Sequence, residues 1–300
     1  MKFGRSGFWT AIAVPLLLVM GCDNGRGGGK LDQGLPLSYD AGPPDFAGAD
    51  LAQSGCAGQG AGCYTVYAHS DHELYSIDLQ SKQLVDVGPF RAPMVMGSED
   101  VITDLAVAPD GTIWVISIGS IYTASPTDGH VTRVGSLNNC GDVCVALSFT
   151  PDGKLYTADF QGAFCQIDIT TSPPTVTKVV AALANKIAVS GDLVAVADGT
   201  MYATAYKLND SATQTNNILI KINPATGAVT NIGPTSFPKL FGTAFADGKV
   251  FGFTHDGTGH VITIDPATGN GTLFGTFLDS TSMGIKFAGA GVNALVSPIP

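Results

Sequence analysis

Four of the five histidines fall in two short segments, HSDH at 69–72 and HDGTGH at 255–260. Imidazole titrates near neutrality and ligates borderline metals through its neutral nitrogen, and Asp71 and Asp256 stand beside these rings. If the fold brings the two segments together, His69, Asp71, His72, His255, Asp256 and His260 form a patch that contacts a ligand or a metal and responds to pH. Asp159 and Tyr206, in two further loops, extend it. No Gly-x-Ser-x-Gly elbow, His-Glu-x-x-His pair, phosphate-binding loop or Cys-x-x-Cys pair occurs, so no residue is assigned a catalytic role and no cofactor or fixed metal site is implied. Aspartates before glycine at 110, 152, 198 and 247 suggest a carboxylate constellation. They stand, however, where tight turns use Asp and Gly for local geometry. Asp78, Asp168, Asn223 and Asp265 recur at the start of hairpin turns, where an Asx side chain bonds its own backbone.

What positions these residues is a repeat. LIKINPATGAVTNIG at 219–233 returns as VITIDPATGNGTLFG at 261–275, with weaker copies at 74–88, 121–135 and 164–180. Each reads as a hairpin of β-branched and apolar strands around a turn, unable to bury its apolar face alone. Ahead of four of them stand two alternating strands joined by a tight turn: DLAVAPDGTIWVIS at 104–117, ALSFTPDGKLYTAD at 146–159, then 187–205 and 241–254. Four strands recurring about every 45 residues make an all-β protein, a β-propeller. One long spacing is explained by an insertion at 207–217. The first unit starts at Tyr64 without an inner strand, and MGIKFA at 283–288 supplies a lone one, so both chain ends join in one blade. This predicts five four-stranded blades; the alternative uses 292–296 to begin a sixth. In such a ring the tight turns share one rim and the varied loops the other. Function is expected on the varied rim, with the blades carrying His69 and His255 as neighbours.

Ahead of the repeats, residues 1–21 read as an export signal. Lys2 and Arg5 precede an apolar run at 8–20 that is too short to span a bilayer and is interrupted by Pro15. Residues 22–55 are rich in Gly, Pro, Asp and Ala and read as a flexible tether, leaving 56–300 as the propeller domain. Net charge is −10 and becomes −12 without the leader, which argues against nucleic acid as a partner. Of six cysteines, spacing and an oxidising compartment predict bridges Cys56–Cys63 and Cys140–Cys144, with Cys165 a buried strand thiol. The alternative joins Cys165 to Cys140 or Cys144.

Val19-Met20-Gly21-Cys22 resembles the bacterial lipobox, which implies that Cys22 is diacylated and becomes the first residue. Two acyl chains would anchor the protein stably without spanning the membrane. PDGTIWVIS and PDGKLYTAD resemble repeats of NHL-type and lactonase-like propellers, and the PATG hairpins resemble turns of YVTN-like and quinoprotein-like repeats. The first reading of function is therefore a binding or scaffolding module of a bacterial envelope lipoprotein, at the outer membrane or cell surface, whose partner is an envelope protein or a small ligand. The lactonase-like resemblance implies an alternative: a metal-dependent hydrolase with an oxygen-ligated ion in the central channel, drawing on Glu99, Asp100, Asp104, Asn139, Asp142, Asn185 and Asp279.

Overall fold

The structure, a computed structural model, describes residues 65–293 except 96, 139, 140, 142 and 211–214. The leader, the tether, Cys22, Cys56, Cys63, Cys140, Asn139 and Asp142 lie outside the described residues. Among the described residues no helix is long and apolar enough to cross a membrane.

Among the described residues twenty-two strands build the domain. The chain opens with β1 (Thr65–His69), β2 (Glu73–Asp78) and β3 (Gln83–Pro89), then a small hairpin, β4 (Met94–Val95) and β5 (Ser98–Glu99). Four complete units follow. The second blade is β6 (Ile102–Val107), β7 (Ile113–Ser117), β8 (Ser120–Ala124) and β9 (Val131–Ser136). The third is β10 (Cys144–Phe149), β11 (Leu155–Asp159), β12 (Phe164–Asp168) and β13 (Thr175–Val180). The fourth is β14 (Ile187–Ala195), β15 (Met201–Lys207), β16 (Ile218–Ile222) and β17 (Val229–Pro234). The fifth is β18 (Leu240–Ala246), β19 (Lys249–Thr254), β20 (His260–Ile264) and β21 (Gly271–Thr276), after which β22 (Gly289–Gly291) closes the ring. Each unit is an antiparallel four-stranded sheet, and the first has the order β22-β1-β2-β3. The protein is thus a five-bladed β-propeller whose first blade contains both chain ends.

The closing strand is not where the sequence placed it. Residues 283–288 alternate like a strand, but Met283 and Gly284 belong to a short loop that folds back on Leu278. The inner strand is the Gly-Ala-Gly that follows, with Gly291 opposite Tyr67 and Gly289 opposite His69. Size decides this: a Cβ on Gly289 would collide with Asp104 Oδ1 and His69 Nε2, and one on Gly291 would stand 2.7 Å from Leu105 Cδ1.

The core lies between blades rather than within them. Leu74 and Phe90 of the first unit pack with Ile102, Leu105 and Tyr122 of the second. Ile116 and Ile121 pack with Leu147, Phe149 and Ile167 of the third, while Tyr156 and Phe164 pack with Leu193, Met201 and Ile220 of the fourth. Phe253, Ile262 and Phe287 join the fifth blade to Val66 and Ile77 of the first. No blade can shed water from its faces without its neighbours, so the ring is the stable unit.

Candidate functional site

Four inner strands begin, at the rim carrying the longer loops, with a break in their pairing. Ile102 and Asp104 face Ser117 and Ile116, so Thr103 is extra. Val145 is extra in β10, Phe241 in β18, and residues 190–192 form a larger break in β14. A β-bulge frees its extra residue from the ladder and re-aims its side chain. Repeated around the axis, the bulges bring Thr103, Val145, Ser190, Gly191 and Phe241 to one cavity of about 520 Å³ at the channel mouth. Asp71 after β1, Phe160 after β11 and His255 after β19, from loops, and Tyr206 near the end of β15 complete it. Gly191 is required here, because a Cβ would stand 2.6 Å from the Phe241 Cα of the next blade.

The walls are apolar and aromatic, and their hydrogen-bonding groups are mostly engaged by the protein. Tyr206 Oη donates to the Phe160 carbonyl at 2.9 Å, and Ser190 Oγ to Asn217 Oδ1 at 3.1 Å. Thr103 Oγ1 donates to the Cys144 carbonyl at 2.9 Å, linking the second and third blades. Burial pushes the Tyr206 phenol up, with help from the charge of Asp159. The His255 ring stacks on Phe241, with centroids 4.6 Å apart and planes 13° from parallel. Its Nδ1 lies 3.0 Å from the Phe287 carbonyl. A carbonyl only accepts, so Nδ1 is the donor, and in the tautomer this contact sets Nε2 carries the lone pair.

Beneath the mouth the channel contains two carboxyl groups with opposite surroundings. Asp192 Oδ1 accepts the Leu193 amide at 2.5 Å, and Oδ2 accepts the Thr243 amide at 2.5 Å and the Ala290 amide at 3.3 Å. Asp104 is equally buried, yet neither of its oxygens receives a hydrogen bond: Asp192 and the Leu105 and Leu147 amides stand beside it without closing one. Burial pushes both carboxyls above the usual range. Three amide donors favour the charged form of Asp192, so Asp104 is the member that keeps a proton. His69 is fully buried next to them. Its Nδ1 donates to the Ser70 carbonyl at 2.7 Å, and Nε2 lies 3.9 Å from Asp104 Oδ1, too far for a hydrogen bond. Burial pushes the His69 imidazole down to about 4, so it is neutral at pH 7.

Of the residues expected to form the binding patch, the cavity gathers Asp71, Tyr206 and His255. The rest are placed otherwise. His69 is sealed in the channel, because the end of β1 points inward where the patch required an exposed ring. His72 is exposed beside Glu99, with 3.9 Å between Nδ1 and Oε2. Asp159 is buried and accepts the Gln161 and Ala163 amides, and Asp256 accepts the Thr258 amide and hydroxyl, so both are committed to their own turns. His260 opens β20 outside the cavity. Among the described residues no three His, Cys, Asp or Glu side chains converge to hold a metal ion.

The cysteines divide likewise. Cys144 is buried at the start of β10. Cys165 is buried in β12, and burial pushes its thiol up to about 11, which removes thiolate character at neutral pH.

The bulge residues were invisible to motif reading, since no residue type marks a bulge. One signal existed: Thr103, Val145 and Gly191 each stand seven residues before a turn aspartate, Asp110, Asp152 and Asp198.

Ring, closure and axial cavity define a β-propeller of the repeat type. A family described as a repeat of unknown function, DUF6923, matches residues 149–281, most of the third to fifth blades. No curated protein matches the chain. A chain from the crystal structure of a Nidogen/Laminin complex aligns over 79% of this chain and 100% of its own, with a TM-score of 0.52 and 13% identity. A structural genomics protein of unknown function from Bacteroides thetaiotaomicron aligns over 74% of this chain and 61% of its own, with a TM-score of 0.48 and 16% identity. The PQQ-bound aldose sugar dehydrogenase from Streptomyces coelicolor gives 0.44 and 14%, over 61% of this chain and 64% of its own. At these identities the likeness is one of fold and carries no activity.

Proposed function

We propose that the protein is a membrane-anchored, extracytoplasmic binding module of a bacterial envelope, held by lipid on Cys22, whose ligand site is the axial cavity on the loop rim. The observation that carries this reading is the convergence of four bulges, three loops and the end of β15 on one aromatic-walled cavity, of a volume usual for small-ligand sites. The direction of the chain agrees with it. Thr65, the first residue described, pairs with Asp78 at the turn rim. Asn293 Nδ2, at the other end, donates to the Ala108 and Pro109 carbonyls at that same rim. Both described ends thus lie at the rim opposite the cavity. The bridges Cys56–Cys63 and Cys140–Cys144 belong to the proposal, the second supported by the disulfide-bonded state of Cys144.

The hydrolase reading has less support. Of its candidate ligands, Asp104 alone among the described ones faces the channel. Asp100 accepts the Ser117 and Tyr122 hydroxyls, Glu99 accepts the Ala92 amide, and Asp279 is held by Thr281 and Met283. The test is retention from an envelope extract. Wild-type domain and Phe241→Asp are incubated, washed and analysed by mass spectrometry. A small molecule held by the first and missing from the second is expected; identical profiles defeat the reading.

A further inference from the structure

The cavity's chemistry is narrower than its outline. Thr103, Ser190 and Tyr206 give their hydroxyls to protein acceptors. The only full charges in the lining are Asp71 and Lys239, both exposed and of opposite sign. Asn217 Oδ1 accepts from Ser190 and Leu240, and in the half-buried wall that remains the His255 Nε2 lone pair is the acceptor left for a guest. The ring that bears it is fixed twice, by its stack on Phe241 and by the Nδ1 bond to Phe287. A ligand with a charged body would exchange hydration for a wall whose two charges, Asp71 and Lys239, are exposed and opposite in sign, and one rich in acceptors would find few donors. A flat ring system meets aromatic faces instead, and a single N–H or O–H on it satisfies Nε2.

We propose, resting on the reading of this cavity as the ligand site, that it takes an uncharged, ring-containing hydrophobic molecule which packs on the Phe241–His255 pair and donates one hydrogen bond to His255 Nε2. The class is set by shape and polarity; small aromatic amines and phenols belong to it.

The test uses N-phenyl-1-naphthylamine, a neutral dye with two aromatic ring systems and one N–H, titrated into the full propeller and followed by fluorescence, with thermal melts to establish that each variant is folded. Wild type is expected to bind one equivalent. Phe241→Ala weakens binding by about tenfold or more through loss of the aromatic face. His255→Phe keeps the stack, removes the acceptor and weakens binding by about 3- to 10-fold, the range of one hydrogen bond. 1-Phenylnaphthalene, which lacks the donor, distinguishes wild type from His255→Phe by less than twofold. The anionic dye 1-anilinonaphthalene-8-sulfonate binds more weakly than the neutral amine. Non-saturating binding, indifference to Phe241→Ala in a folded variant, or preference for the anion overturns the proposal. If the amine fails while wild type retains an extract molecule that Phe241→Asp does not, the ligand class falls and the site stands. If both fail, the site falls as well.

Discussion

The two rims spend the same residue types differently. On the turn rim, polar side chains close their own loops. Asp78 accepts the Gln80 and Ser81 amides, Asp168 the Thr170 amide, Asn223 the Ala225 amide and Asp265 the Ala267 amide. Asp110 and Asp198 each accept the amide two residues on, from Thr112 and Thr200. On the loop rim, side chains from different blades turn toward the axis and enclose a cavity, and the polar groups in its wall hold that wall in place. Recurrent carboxylates are therefore a sign of repetitive turns, whereas the place where function can sit is marked by interruption of the ladder.

The channel joins the rims, and the largest expected effect lies there. Asp192 ties the fourth blade to β18 and β22 through the Thr243 and Ala290 amides. Asp192→Asn exchanges a charged acceptor for an amide and should lower stability by about 3 kcal/mol in urea unfolding. Asp104→Asn, which replaces a neutral acid by a neutral amide of the same shape and removes the cost of keeping that acid protonated at neutral pH, should not lower it. Equal costs would contradict the assignment of the proton to Asp104.

The second effect is on pH dependence. His69, lowered to about 4 in the fold, binds its proton more readily when unfolded, near pH 6.5. It therefore removes stability as pH falls from about 6.5 to about 4, by up to about 3 kcal/mol. Asp104 is raised by burial, so it acts in the opposite sense: its folded form holds the proton better, and stability is lost as pH rises above the unfolded carboxyl value near 4. In wild type the two trends oppose each other. Asp104→Asn should strengthen the His69 slope, a fall in melting temperature between pH 6.5 and 4, and adding His69→Gln should remove that fall and leave the opposing slope of Asp192, which burial also raises. A single variant no steeper than wild type would speak against this coupling.

The third expected effect returns to the loop rim. Gly191→Ala drives a methyl at the Phe241 backbone and should cost about 1–3 kcal/mol, as overpacking does, while weakening dye binding by about tenfold. The smallest belongs to the turn rim: Asp265→Ala should cost about 0.5–1 kcal/mol and leave binding unchanged. Loss of binding in Asp265→Ala would erase the distinction between the rims.

How much of this was readable follows from the same contrast. Hairpins at 74–88, 121–135, 164–180, 219–233 and 261–275 are written in residue types, and they gave blade number and closure because strand alternation and turn chemistry are local. The residues of the cavity were legible in part, since Asp71, Phe160, Tyr206 and His255 lie in the varied segments that the alternation leaves over. The closing strand was misplaced because Gly289-Ala290-Gly291 is chosen for its lack of side chains against Asp104 and Leu105, which strand propensity does not record. His69 was misjudged because direction at a strand end decides whether a ring meets solvent or the axis. Phe241 and Val145 were missed because alternation assigns such residues to a ladder from which the bulge releases them.

Methyl-selective NMR during titration with the naphthylamine tests the central claim most directly. The methyls of Val101, Ile102 and Val145, which line the cavity, are expected to shift together and saturate at one equivalent, while Val85, Val134 and Leu273 on the outer strands stay still. Shifts confined to the outer-strand methyls, with the cavity methyls unmoved, would contradict it.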